Sequence, residues 1–164
     1  LFWLAYNIYL NKISGKPNIK KGLKYLEAAA NKNLLNAQYF LSLYYGKGLI
    51  FYQDNYNKIK KNDEYKIKVN NAKSLKYLKM AALNKYIPAI IDLSDRYLLG
   101  RHVKKDLKKA WNYLNLIPNL NNNKMLSNMT LPDKDKAHMK KTIINQKKRI
   151  ITLINSVKKK SGII

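Results

Sequence analysis

Leu23-Lys24-Tyr25-Leu26 and Leu75-Lys76-Tyr77-Leu78 are one tetrapeptide written twice, 52 residues apart. At the same offset Ala29-Ala30 falls over Ala81-Ala82, Ala37 over Ala89 and Leu41-Ser42 over Leu93-Ser94, followed by Tyr45 over Tyr97 and Gly48 over Gly100. A third copy begins 36 residues later, with Trp111-x-Tyr113-Leu114 over Leu75-x-Tyr77-Leu78. Leu4-Ala5 aligns with Leu41-Ser42 at an offset of 37, which reads as a unit cut short at the start. The underlying period is therefore 36 to 37, and the longer spacing is one period plus a 16-residue insertion between Ile50 and Asn70. Such a period marks a stacked-repeat architecture.

Within a unit the apolar spacing is helical. Leu23, Leu26, Ala29 and Ala30 share one face, and Ala37, Leu41 and Tyr45 share another at i, i+4, i+8. The paired alanines permit close helix approach. Gly48 and Gly100 stand where a left-handed residue ends a helix. Pro88 stands where a second helix begins and its missing N–H costs nothing. Each unit reads as a helix–turn–helix that buries its faces only by stacking on neighbours.

The pattern Lys-Tyr-Leu-x-x-Ala-Ala, then Ala, Leu, Tyr and Gly, carried by Lys24 to Gly48 and Lys76 to Gly100, resembles the Sel-one-like repeat family, a relative of the tetratricopeptide repeat. The resemblance spans residues 1–117. Asn33 and Lys85 stand where the family places an inter-helix glycine, and Leu98 replaces a second one. The resemblance implies an all-α fold, a right-handed α-solenoid, whose members act as adaptors and assembly scaffolds and seldom as catalysts. Residues 118–132, bounded by Pro118 and Pro132, read as a linker. Residues 133–164 read as a basic C-terminal helix, with Asp133 and Asp135 at its start and Lys158-Lys159-Lys160 at its end, both suited to the helix dipole.

Composition narrows the function. The 164-residue chain has 33 Lys+Arg against 9 Asp+Glu, a formal charge of +24. It has no cysteine, which excludes disulfides, thiolate metal sites and cysteine nucleophiles. His102 and His138 are its two histidines, neither with a second ligand at metal-site spacing, and no glycine cluster forms a phosphate loop. Asp92, Asp95 and Arg96 read as a local charge pattern. No catalytic site, metal, cofactor or small-molecule substrate is expected. No run of about 18 apolar residues offers a membrane span. A chain that opens on Leu1 without Met, in a partial unit, is expected to be a mature or truncated product with further repeats upstream.

Two basic features are candidate binding sites. Lys21, Lys73 and Lys109 are equivalent in the repeat, as are Lys24 and Lys76, and stacking is expected to align them as a basic ridge. Lys140, Lys141, Lys147, Lys148 and Arg149 flank a stripe of Ile143, Ile150 and Val157 on the last helix. That stripe either caps the repeat stack or docks on an anionic surface. Part of the lysine excess follows from AT-rich codon usage, but the shortage of acids does not, and self-repulsion then calls for an anionic partner or a large solvated surface. Tyr25, Tyr77, Tyr113 and Trp111 sit beside buried leucines and read as core. The insertion, rich in lysine and aromatics, is either a binding loop or a tolerated expansion.

The functional expectation is a non-catalytic scaffold or adaptor, gripping protein partners through its concave groove and inserted loop within a larger assembly. The alternatives are a structural subunit of a ribonucleoprotein such as an organellar ribosome, holding RNA or another polyanion, and a membrane-surface adaptor. The setting this favours is intracellular or organellar, for instance mitochondrial.

Overall fold

The computed structural model describes residues 19–48, 67–117 and 132–160. The truncated unit before Ile19, most of the insertion and the linker as far as Leu131 lie outside the described residues, as do the side chains of Val157 and Lys158-Lys159-Lys160. All described elements are helices: α1 (Ile19–Asn31), α2 (Leu35–Lys47), α3 (Asn71–Leu83), α4 (Ile87–Leu99), α5 (Leu107–Leu114) and α6 (Asp133–Lys160). The fold class is all-α, of the solenoid type, with a long C-terminal helix whose start coincides with the Pro132-Asp133 signal. The chain divides into two compact units between Tyr86 and Ile87.

In the first unit α2 packs on α1 and, more extensively, on α3. Leu26, Ala29, Ala30, Ala37, Leu41, Tyr45 and Tyr77 form its core, with Leu41, Ala30 and Ala37 wholly buried. Burying a leucine of this kind contributes about 2 kcal/mol. The small residues let the helices come close enough for the Ser74 hydroxyl to donate to the Ser42 carbonyl at 2.7 Å. Gln38, also wholly buried, spans the unit. Its Nε2 donates to the Ala30 carbonyl at 3.0 Å, and its Oε1 accepts from Asn84 at 3.4 Å. In the second unit α4 packs on α5, and α6 lies against both. Ile143 and Ile150 are wholly buried there, so the isoleucine stripe serves the fold as a cover.

Helix ends follow the repeat. Asn33 (φ 61°) ends α1 and Lys85 (φ 62°) ends α3, each in the left-handed region. In each case the residue after it returns its N–H to the carbonyl five positions back, Leu34 to Ala29 and Tyr86 to Ala81, at 3.1 and 3.0 Å. These are Schellman turns, in which glycine carries no Cβ penalty. The two departures from the family pattern therefore keep its backbone at an energetic cost. Lys85→Gly is expected to raise stability by about 1 kcal/mol, read from the urea midpoint, and Asn33→Gly by less, because asparagine tolerates this region better.

Candidate functional site

The lysines of the basic ridge fall into two groups. Lys21 and Lys24 on α1 and Lys73 and Lys76 on α3 are exposed in the first unit; Lys109 on α5 is exposed in the second. Lys73 and Lys109 share a local device. Each is the third residue after a cap: Asn70 Oδ1 accepts from the Lys73 N–H at 2.9 Å, and Asp106 Oδ1 from the Lys109 N–H at 2.8 Å. Each then lays its ammonium over a tyrosine of the preceding helix, Lys73 4.7 Å from the Tyr45 ring centre and Lys109 5.7 Å from that of Tyr97. Beneath them the rings stack in pairs: Tyr45 on Tyr77 (6.1 Å, 7°) and Tyr97 on Tyr113 (5.6 Å, 11°).

The first copy adds an acid. The Tyr45 hydroxyl donates to Glu27 Oε1 at 2.7 Å, while Lys73 Nζ approaches the same oxygen at 3.4 Å and the Tyr45 hydroxyl at 3.2 Å. This ties α1, α2 and α3 together at one point. Burial, and then the bond to Glu27, push the Tyr45 phenol above its ordinary value, so it stays a neutral donor. One copy later the position of Glu27 is Lys79. Lys76 lies 5.7 Å from the neighbouring Tyr77 ring. Sequence reasoning missed Glu27, Tyr45, Tyr97, Asn70 and Asp106 as parts of this device. The signal for it was present in Asn70 and Asp106, which recur at the 36-residue offset three positions before the lysines.

Asp106 gives a pH test. Its carboxyl is held below the usual carboxylate range, chiefly by the Lys109 N–H. A depressed native value supplies stability above the ordinary carboxylate pKa, and that stability is lost as pH falls through the native one. Asp106→Asn, which installs the residue of the other copy, is expected to keep the cap but flatten this part of the acid limb. Thermal melts between about pH 7 and pH 2 check it, because the titration lies in that range.

On α6, Lys141, Lys148 and Arg149 are exposed and Lys140 and Lys147 half-buried. Arg149 belongs to a second cluster. All three arginines of the chain gather by two acids of α4: Arg96 Nε lies 3.5 Å from Asp92, Arg101 3.6 Å from Asp95, and Arg149 acts on Asp95 from α6. Burial nonetheless raises the Asp95 carboxyl above its ordinary value, against the pull of Arg101, Arg149 and a bond from Gln146. Gln146 Oε1 is buried with no partner among the described residues. Trp111, Tyr25 and Tyr113 are half-buried, while Tyr77 is buried; Leu26, Leu78 and Leu114 take the centre of the core instead. His102 and His138 are both exposed. No group of three His, Cys, Asp or Glu among the described residues could hold a metal ion. No helix among them is long and apolar enough to cross a membrane.

The repeated cap, lysine and tyrosine stack thus belong to a repeat module, and the Sel1 repeat matches this chain at residues 1–34, 35–58, 61–86 and 87–116. The chain belongs to the Sel1 repeat family. The match at 87–116 opens at Ile87, the first residue of α4, and takes in α5 as well, whereas α2 and α3 fall in separate matches, at 35–58 and 61–86. The break between 58 and 61 falls inside the insertion, the rest of which the two flanking matches cover. Sel1 repeats generally mediate protein–protein interaction and are a non-catalytic repeat type. Comparison with curated proteins and with solved structures finds no match.

Proposed function

We propose that this chain is a non-catalytic scaffold that holds protein partners within a larger assembly. The observation that carries this reading is the division of labour in the repeats. Alanines, leucines and stacked tyrosines consume the faces between helices, and what α1, α3 and α5 leave exposed is mainly polar and basic. Lys21, Lys24 and Lys76 stand on such exposed faces and suit an acidic protein surface, where complementary charge speeds association and selects partners.

The test is affinity capture on the full chain after nuclease treatment, so that nucleic acid cannot bridge. Proteins recovered in fixed stoichiometry, and lost when Lys21, Lys24 and Lys76 are changed together to Glu in a chain that keeps its helical circular dichroism, support the reading. An unchanged set of proteins after the substitution, or none above background, overturns it.

A further inference from the structure

Helix α6 carries a second basic surface, independent of the Sel1 repeats. Its inward face is fixed by Ile143, Gln146 and Ile150, all buried. On the opposite side Lys134, Lys141 and Lys148 stand exposed at steps of seven residues. Seven residues are close to two turns, so these three ammonium groups form a line with about 10 Å between neighbours. The helix holds ten basic residues and two acids, both acids in its first turn. Asp133 is engaged by Lys136 at 3.7 Å. Among the described residues no carboxylate pairs with Lys134, Lys141 or Lys148. A rigid row of like charges repels itself and is relieved by a counter-charge from outside.

We propose that this face docks the phosphate backbone of double-stranded RNA. Three features select that occupant. Ile143 and Ile150 of α6 are already engaged inside the fold, and Ile151 is the one large apolar side chain the helix exposes among the described residues, too little to lay into a lipid surface. Arg149 lies off the seven-residue line of Lys134, Lys141 and Lys148, so the exposed row consists of lysines. Lysine is a point charge suited to phosphate, and α6 has no Phe, Tyr or Trp on which unpaired bases would stack, so a duplex backbone fits the row better than a single strand. A-form RNA, whose deep major groove hides the base edges, is recognised by shape and backbone contacts of this kind. This surface goes beyond the protein-binding reading and can stand or fall without it.

The experiment uses the full chain and an RNA duplex of about 20 base pairs with arbitrary sequence, followed by anisotropy at rising KCl. Lys134→Gln, Lys141→Gln and Lys148→Gln are combined, and a control of equal charge combines Lys104→Gln, Lys105→Gln and Lys108→Gln, three other exposed lysines. Circular dichroism verifies that both keep their helices. The α6 variant is expected to bind tenfold or more weakly and to lose about two to three units of the log–log salt slope, with the control within about twofold of the parent. Equal losses in both variants, or none in the α6 variant, overturn the proposal. So does equal or tighter binding, at the same salt, of duplex DNA, of phosphatidylserine vesicles or of polyglutamate. Those three results would assign the row to any duplex, to a membrane or to an acidic protein respectively.

Discussion

Gly48→Ala is expected to lower stability by about 2–3 kcal/mol, and Gly100→Ala by about 1 kcal/mol, although the two glycines are equivalent in the repeat. Both sit at positive φ, 68° and 74°, so both alanines carry the same backbone strain. The difference is space. A Cβ on Gly48 would stand 2.7 Å from Val69 Cγ2 and 3.1 Å from the Ile67 carbonyl oxygen, whereas on Gly100 its nearest neighbour, Lys105 Cβ, is at an ordinary 3.4 Å. Val69 is half exposed and can turn, but the Ile67 backbone accepts no such shift, because its N–H donates to the Gly48 carbonyl at 3.0 Å. That return from the insertion also lets Asn70 donate to the Tyr45 carbonyl at 2.9 Å and so sets the start of α3. Urea unfolding of the two variants checks the ranking. Equal losses would show that the returning segment yields freely around Gly48.

Ile143→Ala combined with Ile150→Ala is expected to release α6 from the second unit. Each side chain is wholly buried, and truncating such a residue costs about 2–4 kcal/mol once the cavity is included. Few other buried groups hold the helix: Gln146 is buried but leaves its Oε1 unpaired, and the attraction of Arg149 for Asp95 is solvent-screened. Native-state hydrogen exchange reads the outcome. Protection should fall along 136–156 while the amides of α3, in the other unit, keep theirs. Persisting protection on α6 would mean that contacts other than the two isoleucines hold it.

How much of this was legible beforehand depends on whether a feature is periodic or solitary. Ala37, Leu41 and Tyr45 recur at a fixed offset, so helix identity, burial and register could be read by laying one copy on another. At Asn33 and Lys85 the family resemblance marked a glycine position, but the left-handed backbone that both residues keep was not read from the sequence. The start of α6 at Asp133 coincides with the Pro132 and acidic first-turn signal. What resisted was contact between residues with no counterpart elsewhere. Glu27 joins Tyr45 and Lys73 in one of the described copies, and the charge of Arg149 acts on Asp95 across 54 positions of sequence with no repeat to announce it. Lysine itself states nothing about its company, and Lys73 and Lys109 proved to lie on tyrosine rings as well as in water. Trp111, like Leu23 and Leu75, lies at the rim of its apolar face, which spacing alone did not separate from the centre.

The serine contact between α2 and α3 has a mirror in the second unit, where the Ser94 hydroxyl donates to the Ala110 carbonyl at 2.9 Å. Ser94 corresponds to Ser42 and Ala110 to Ser74, so the direction of donation is reversed between the two units. The first unit owns a serine on each helix, and the idle one, Ser42, turns its hydroxyl to the Tyr39 carbonyl of its own helix at 2.8 Å. One hydroxyl per crossing suffices, whichever helix supplies it. The first crossing therefore has redundancy and should shrug off the loss of Ser42, while at the second crossing Ser94 has no understudy.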